Sequence, residues 1–577
     1  MNDLRRTLLW SVFAVSLLML WDGWLRHTGQ PSLFAPAPSS TVAASAPGSG
    51  ASGADGSVPQ ASTQLGASGA GQGQAQAATA AAGAASGAAA VAAKGELITF
   101  STDVVRATVD TLGGSLVKVE LLKHKDQDDH SQNMVVLDRS AVHTYEAQSG
   151  LIGMSSANNA LPYHKTPFTL VSTQRTLADG AKDLVVKLES APVNGVKLVK
   201  TYTFERGNYA IDVKQEVVNG SAETIQPQLY VQIERDGSAP KSAPGPAFMG
   251  GPQSYTGMAI YSDKGKYQKL DFKHLDEGKA EFEKADDSGW VAMVQHHFVS
   301  AWLQTDKLHR EFFARKIPDT NLYATGMLFP LGEIAAGQSK TLDTKLYVGP
   351  QEEFKLSELA PGLELVKDYG WTKIMAEPLF WLLNKLHGIL GNWGWAIIAL
   401  VVLLKAAFYW LNASAYRSMA KMKALNPRIQ AMRENLKNDP QKMQQEMLKI
   451  YREEKVNPIG GCLPILIQIP VFIALYSVLS SSVEIRNAPW IGWITDLSVK
   501  DPYFVLPALM TGSTLLQTWL NPTPPDPVQA KMMWIMPLLF SVMFFFFPAG
   551  LVIYWLTNNL LSIAQQWLIN KQLGVMK

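Results

Sequence analysis

The feature that most constrains this chain is an apolar stretch with one lysine inside it. Residues 393–411 read WGWAIIALVVLLKAAFYWL, and Lys405 is the only charged side chain among them. A charge at membrane depth costs roughly 2.5–3.5 kcal/mol on insertion scales, so such residues normally face a bundle interior or a water-filled cavity. The sequence therefore predicts that Lys405 marks a hydrated cavity. The alternative is that Lys405 extends along the lipid face to the nearer membrane surface.

The stretch belongs to a series of five apolar segments in the last third of the chain. Each segment is near the length that a bilayer requires. A further apolar segment within residues 1–27 follows Arg5 and Arg6, and Trp21 and Trp24 favour an uncleaved anchor over a cleaved signal peptide. We therefore expect six crossings, with both termini on one side. The five predicted spans cover approximately residues 393–412, 461–481, 503–520, 532–547 and 549–569.

The region between the anchor and the helical core has two parts. Residues 28–95 are rich in Ala, Gly and Ser, which cannot bury enough apolar surface to offset the entropy of ordering, so we expect a disordered linker without sequence-specific function. Residues 96–350 contain many short alternating stretches, with turn signals at Gly113-Gly114 and Asn219-Gly220. This pattern predicts a β-sandwich. We expect the domain to serve as a binding or spacing module.

Residues 351–391 are predicted to be helical. Their amphipathic stretch WTKIMAEPLFWLLNKLHGIL favours a helix on the membrane surface, with packing against the β domain as the alternative. The five-helix core then spans residues 392–577, including a helical hairpin over 413–459 that turns at Asp439-Pro440. Methionine suits adaptable apolar contacts, although packing between the two hairpin helices explains the pattern equally well. The hairpin residues that we single out are Met419, Met422, Arg428, Met432, Met443 and Met447.

The distribution of basic residues predicts the orientation. The segment 413–460 carries ten Lys or Arg residues, whereas 482–502 carries Arg486 and Lys500 alone. By the positive-inside rule, the first segment and both termini are cytoplasmic, and the β domain is external. In a bacterium this external space is the periplasm, and the membrane is the inner (cytoplasmic) membrane.

Polar residues in the predicted spans are concentrated in their cytoplasmic halves. Besides Lys405, they include Gln468, Thr514, Gln517 and Asn558. This asymmetry predicts a hollow that is open to the cytoplasm and closed toward the outside. Water in such a hollow would shorten the dry path for polar groups of a polypeptide entering the membrane, and a cation there would attract an acidic tail. The pattern thus favours a protein that inserts polypeptides into the bilayer.

Three other classes of protein are alternatives to an insertase: an enzyme, a transporter and a receptor. The chain has a single cysteine, Cys462, and no nucleophile elbow, phosphate loop or HExxH motif, so we expect neither an enzyme nor a cofactor. A small-solute or peptide transporter with Lys405 as an anion site is the principal alternative, although such proteins usually show internal repeats. A receptor that senses ligands through the β domain is a third possibility.

Several motifs together resemble a known family. They are NWGWAIIALVVLLK, YRSMAKMKALNPRIQAMRE, EEKVNPIGGCLPILIQIPVFIALY, DPYFVLPALM and FFFFPAGLVIYWLTNNLLSIAQQ. Over essentially the whole chain, the sequence is similar to the YidC/Oxa/Alb family of membrane protein insertases, and most similar to its Gram-negative YidC branch. The resemblance implies an α-helical polytopic membrane protein with an N-terminal anchor, a five-helix core and a large periplasmic all-β domain of the β-supersandwich type.

The resemblance also implies a substrate groove and a set of partners. The family usually has an arginine where this chain has Lys405, which keeps the charge without the planar guanidinium. Trp555 stands where tyrosine is common, and Val401 where some relatives have threonine. The implied partners are nascent membrane proteins, the Sec translocon with its accessory subunits, the ribosome and the phospholipid bilayer. The groove positions that carry over are Gln468, Phe472, Thr514, Tyr554 and Trp555.

Overall fold

The computed structural model describes most of the chain from residue 95 onward. The described ranges are 56–59, 95–126, 129–140, 142–153, 160–238, 255–436, 439–454, 463–521 and 527–572. The predicted anchor, most of the predicted linker and the NP-x-GGC motif at 457–462 lie outside these ranges. Within the linker, residues 56–59 pack on the β domain, which differs from the expectation of disorder throughout 28–95.

The β domain consists of two nine-stranded sheets. The first has the spatial order β1-β2-β3-β4-β5-β10-β17-β16-β13, and the second has the order β12-β11-β14-β15-β18-β9-β8-β7-β6. The strands are β1 Leu97–Ser101, β2 Val105–Asp110, β3 Ser115–Lys125, β4 Asn133–Arg139, β5 Thr144–Gly153, β6 Phe168–Leu170, β7 Asp183–Ser190, β8 Val196–Glu205, β9 Ala210–Asn219, β10 Pro227–Asp236, β11 Gly257–Ser262, β12 Lys266–Leu270, β13 Ala285–Asp286, β14 Trp290–Val294, β15 Phe298–Leu303, β16 Arg310–Lys316, β17 Leu322–Pro330 and β18 Ser339–Pro350.

The core of this domain lies between the two sheets, where the apolar members of the alternating strands face one another. Strands β2 and β3 form the antiparallel hairpin expected at Gly113-Gly114, and both glycines have a positive φ. At Asn219-Gly220 the chain turns but does not form a hairpin, because β9 and β10 belong to different sheets. The Asn219 side chain donates to the carbonyl oxygens of Glu223 and Ile334, which fixes this crossover.

The helices follow the chain from the β domain into the apolar core. Three single-turn 3₁₀ segments lie between them at Leu363–Val366, Gly370–Thr372 and Val483–Ile485, and a fourth at Phe544–Phe546. The helices are α1 Phe272–Asp276, α2 Glu353–Leu359, α3 Lys373–Leu390, α4 Trp393–Ala407, α5 Tyr409–Asn435, α6 Pro440–Glu453, α7 Leu463–Ser481, α8 Val505–Leu520, α9 Pro527–Met543 and α10 Ala549–Gln572.

Helix α3 is amphipathic, as its sequence predicts. Its buried face includes Leu379, Phe380 and Leu383 and packs on α4 and α7. Its opposite face leaves Ile374 and Trp381 exposed. Helix α3 also meets the β-domain side through Phe354 of α2, whose ring stacks on Phe380 at a centroid distance of 6.1 Å. The structure therefore combines an exposed apolar face with packing against α2.

The first of the predicted spans is broken. Helix α4 ends at Ala407, and α5 begins at Tyr409 with its axis bent by 65°. The expected helix over 393–412 is therefore two helices, and the hairpin begins at 409 instead of 413. By length and apolarity, no single helix in the described ranges is sufficient to cross a membrane, whereas α4 together with the first part of α5 (Tyr409–Ser418) meets the requirement as a bent pair.

The hairpin helices α5 and α6 meet at the predicted turn. The Asp439 carboxylate accepts a hydrogen bond from the backbone N–H of Lys442, so Asp439 caps α6, and Pro440 occupies its first turn. Ile429 and Ile450 are buried in the hairpin. Arg428 donates to Glu453 and Glu454 at 3.1 and 2.9 Å. These contacts are consistent with the alternative in which the two hairpin helices pack on each other.

A buried lysine joins the β domain to the helical core. Lys367 lies between the carboxylates of Glu353 and Glu484, at 3.7 and 3.5 Å, and its ammonium is 3.6 Å from the centroid of the Phe380 ring. On either side of Glu484, Val483 packs in the β-domain core and Ile485 in the helical core. Residues 483–485 thus contribute side chains to both cores and link them.

Candidate functional site

A pocket lies in the helical core where α4, α5, α7 and α10 meet. Its volume is about 440 Å³, including its open mouth. Lys405 reaches it from the last turn of α4, and Asn412 reaches it from the first turn of α5 because the chain bends at Phe408. Apolar side chains form most of the wall. The lining residues are Val401, Leu404, Lys405, Phe408, Leu411, Asn412, Gln468, Val471, Tyr554 and Asn558.

Three polar side chains of the pocket, those of Lys405, Gln468 and Asn558, belong to one group of hydrogen-bonded residues across three helices. The Lys405 ammonium donates to the Ser562 hydroxyl at 2.7 Å, and that hydroxyl donates to the carbonyl oxygen of Asn558 at 2.7 Å. The Gln468 amide donates to the Asn558 side-chain oxygen. Lys405, Gln468 and Asn558 are half-buried, so each retains contact with the pocket volume. The arrangement places a cation and several amide groups inside an otherwise apolar bundle.

A cluster of aromatic side chains adjoins the pocket through Tyr554. The rings of Phe472 and Trp555 meet edge to face at a centroid distance of 4.5 Å, and Phe472 stacks on Tyr554 at 6.4 Å. The ring of Phe544 continues this cluster beyond Trp555 at 5.3 Å. Valine and leucine side chains of α4 and α10 pack beside these rings in the same apolar core. Of the predicted groove residues in this cluster, Tyr554 lines the pocket, whereas Phe472 and Trp555 are not among its lining residues.

The structure does not bring all of the predicted groove residues into the pocket. The Thr514 hydroxyl donates to the carbonyl oxygen of Met510 in its own helix and receives a long hydrogen bond, 3.4 Å, from Asn559. Asn559 also donates to Ser513 at 2.9 Å. Gln517, one turn beyond Thr514, is half-buried but is not among the pocket-lining residues. Thr514 thus belongs to a second polar contact, between α8 and α10.

Two residues of the site, Asn412 and Ser562, are outside the predicted groove set, although Ser562 is one of the polar residues that the sequence places in the last span. Asn412 was placed at the end of a continuous helix, and the bend at Phe408 turns it into the pocket. Ser562 lies one turn after Asn558 on α10, which is the spacing that brings side chains to one helix face. That i, i+4 spacing was the available signal for Ser562. No comparable pattern in the sequence marks the bend.

The hairpin residues are distributed over α5 and α6. Met432, Met443 and Met447 are half-buried. Arg428 is exposed and forms ion pairs with Glu453, the last residue of α6, and with Glu454, which follows it. The side chains of Met419 and Met422 lie outside the described part of the structure. The described methionines are therefore partly buried and leave part of their surface accessible.

The fold and the pocket together define a class of protein in which a large all-β domain is joined to apolar helices that surround a polar pocket. Comparison with known proteins narrows this class. Residues 97–382 match the family model of the YidC periplasmic domain, and residues 385–575 match that of the 60Kd inner membrane protein.

Individual relatives cover the whole chain. The membrane protein insertase YidC of Cupriavidus necator is 53% identical over 573 residues, covering 99% of this chain and 98% of the relative. That of Ralstonia nicotianae is 51% identical over 576 residues, covering 100% and 99%. A crystal structure of an active YidC insertase aligns over 82% of this chain and 94% of its own, with 18% identity and a TM-score of 0.37. The chain belongs to the YidC family of membrane protein insertases. The resemblance inferred from sequence is thereby confirmed.

Proposed function

We propose that this chain inserts nascent membrane proteins into the bacterial inner membrane and assists their folding, with the Lys405 pocket as the place where polar parts of the substrate enter. The observation that carries the proposal is the ammonium of Lys405, held at 2.7 Å from Ser562 and directed into the pocket. Charged groups inside membrane domains are costly and mark functional pathways. The orientation of Lys405 toward α10 favours this role over extension along the lipid face.

The chemistry of the pocket suits a transient polar guest. Lys405 supplies a point charge with three donors, which attracts a carboxylate without requiring a fixed geometry. Gln468, Asn412 and Asn558 supply amide groups that can exchange partners with water or with backbone groups of the guest. We expect the aromatic cluster of Phe472, Tyr554 and Trp555 to separate this polar end from the opposite leaflet. A polypeptide loop held here crosses a shorter apolar distance.

The proposed topology follows the sequence-based orientation. The N-terminal anchor and the helical core cross the membrane, with the hairpin and both termini in the cytoplasm and the β domain in the periplasm. Helix α3 lies at the outer membrane surface with Ile374 and Trp381 toward lipid. Exposed basic residues of the hairpin, Arg417, Lys421 and Lys442, are suited to lipid head groups or to the ribosome, whereas Arg428 is neutralised by its two glutamates. We expect the Sec translocon as a further partner.

Reconstituted insertion tests the function. Purified protein in liposomes should insert a single-span substrate with a short acidic translocated tail, and Lys405→Glu should reduce the inserted fraction at least tenfold. Lys405→Arg retains the charge and should insert nearly normally. Lys571→Glu is the matched control, because Lys571 is an exposed lysine at the end of α10. Normal insertion by Lys405→Glu, or solute flux without insertion, would contradict the proposal and favour a transporter.

A further inference from the structure

One outer face of the β domain is covered where a sandwich would leave it to solvent. Along β10, Leu229 and Val231 point into the core between the sheets. Their neighbours Tyr230, Gln232 and Glu234 point to the outer face, and none of the three is more than 5% exposed. Polar side chains on an outer strand face normally contact water. Other parts of the chain must therefore cover this face.

Part of the cover comes from the predicted linker. The guanidinium of Arg315 donates to the carbonyl oxygen of Gly56 at 2.9 Å. The amide of Gln232 donates to the carbonyl oxygen of Ser57 at 3.2 Å and to Gln148 at 2.6 Å. Two consecutive backbone carbonyls of the linker, in a turn at Gly56 and Ser57, are thus bound by side chains of β16 and β10.

The side chains of residues 56–59 are also recognised. The Ser57 hydroxyl is 2.9 Å from Nε2 of His164, whose Nδ1 is 2.5 Å from the Tyr230 hydroxyl. Val58 packs on the small apolar cluster of Tyr230, Ile152 and Leu328, with Phe313 at its edge. Pro59 is buried.

Position 56, the first of the segment, favours glycine. A Cβ added at Gly56 would lie 3.2 Å from Cδ of Pro318, which is tighter than ordinary contact. Pro59 has a restricted φ, so less conformational entropy is lost when the segment becomes ordered. Each position of the segment therefore has a separate physical reason to be selected.

We propose that the surface of β10 and β16 on which residues 56–59 lie is a peptide-binding cleft. Residues 56–59 are its ligand, bound in cis. The site takes a turn-forming segment of the form small residue, hydroxyl residue, β-branched apolar residue, proline. It is formed by Arg315, Gln232, His164 and the apolar cluster under Val58. The linker is consequently a tether with a specific attachment point at residues 56–59.

Docking changes the reach of the tether. The 28 residues of the range 28–55 remain between the predicted anchor and the attachment point. On the composition-based expectation of a flexible coil, 28 residues span roughly 26–32 Å, whereas the whole predicted linker, residues 28–95, spans roughly 41–49 Å. Release of residues 56–59 would lengthen the tether and open the cleft to another segment with the same chemistry.

A peptide-binding experiment with the full-length protein in detergent tests the proposal. The probe is a fluorescent peptide of residues 52–63, SGADGSVPQAST, compared with a scrambled peptide of the same composition. The resident segment is present at an effective concentration of about millimolar, so wild-type protein should bind the probe weakly. Val58→Asp within the chain should free the cleft and increase probe affinity at least tenfold. Val42→Asp, elsewhere in the linker, is the matched control and should behave as wild type.

Two readouts make the result decisive, and neither depends on insertion activity. A probe carrying aspartate at the position of Val58 should lose at least tenfold in affinity for the Val58→Asp protein. Amide hydrogen exchange in β10 and around His164 should accelerate in Val58→Asp protein and slow again when the probe is added. Equal binding of probe and scrambled peptide, or unchanged exchange in Val58→Asp protein, would overturn the proposal.

Discussion

The ammonium of Lys405 and the hydroxyl of Ser562 lie 2.7 Å apart, which joins α4 to α10 at the polar end of the pocket. The same hydroxyl donates back to the carbonyl oxygen of Asn558, so its lone pairs are directed toward Lys405. Ser562 therefore acts as a positioning residue for the cation. The charge remains accessible to the pocket because Lys405 is only half-buried.

Removal of the Ser562 hydroxyl should weaken insertion without abolishing it. Ser562→Ala takes away a hydrogen bond to a charged group, an interaction of about 1.5–3 kcal/mol. Because water in the pocket replaces part of it, we expect a loss of about threefold to tenfold in insertion of an acidic-tail substrate, measured as the protease-protected fraction. Ser477→Ala is the control, because Ser477 is a buried serine whose hydroxyl donates a hydrogen bond to the carbonyl oxygen of Ile473 in its own helix. An equal loss in both variants would contradict the positioning role.

Loss of the Gln468 amide should cost little stability if the pocket contains water. A buried amide left without a partner costs about 1–3 kcal/mol, whereas an amide that reaches water loses much less. Gln468→Leu removes the donor to Asn558, and we expect the free energy of unfolding in detergent to fall by less than about 1 kcal/mol. A larger decrease in the free energy of unfolding, relieved when Asn558→Leu is combined with Gln468→Leu, would show that this part of the pocket is dry.

Loss of the buried ammonium between the two cores should be far more costly. The Lys367 side chain is fully buried between Glu353 and Glu484. Burial raises the pKa of Glu484, and the charge of Lys367 opposes that shift. Lys367→Met leaves the carboxylates uncompensated, so we expect a loss of about 3–5 kcal/mol, measured by thermal or denaturant unfolding. Lys373→Met is the control, because its ion pair with Glu377 is largely exposed and contributes less than about 1 kcal/mol. Similar effects of the two substitutions would contradict this account.

The β domain should lose stability as the pH rises toward neutrality, through Glu234. Burial, with the neighbouring Glu146 carboxylate, raises the pKa of Glu234 from 4.5 to about 7. Between these values the unfolded chain has released the proton that the folded domain retains, so the free energy of unfolding falls as the pH rises from 4.5 through 7. Glu234→Gln should therefore raise Tm at pH 8 and change it little at pH 5. A gain that is larger at pH 5 would contradict the assignment.

Much of the site could be predicted from sequence because isolated polar residues stand out in apolar helices. Lys405, Gln468 and Asn558 were found in this way, and the structure brings them into one pocket. Asn412 could not be found, since an uninterrupted apolar pattern gives no indication that the helix ends at Ala407. Gln517 shares a helix face with Thr514, but a shared face does not specify which neighbour that face meets.

The long-range contacts could not be predicted at all. Lys367 is paired with Glu484, 117 residues further along the chain, and no local periodicity connects them. The attachment of residues 56–59 was missed for a related reason. Composition describes a linker as a whole, whereas four residues suffice to bind a complementary cleft such as the one under Val58. The alternating strands, by contrast, specify their buried face locally, so the all-β domain was predictable.

Insertion through the Lys405 pocket requires that the pocket be wet from the cytoplasmic side only, and cysteine labelling measures this directly. In a Cys462→Ser background, single cysteines at positions 405, 468 and 558 should react with a membrane-impermeant maleimide in inverted vesicles and not in spheroplasts. Val402→Cys, on the exposed apolar face of α4, should react in neither. If the three pocket positions react in neither preparation, or equally in both, the proposed mechanism of insertion is wrong.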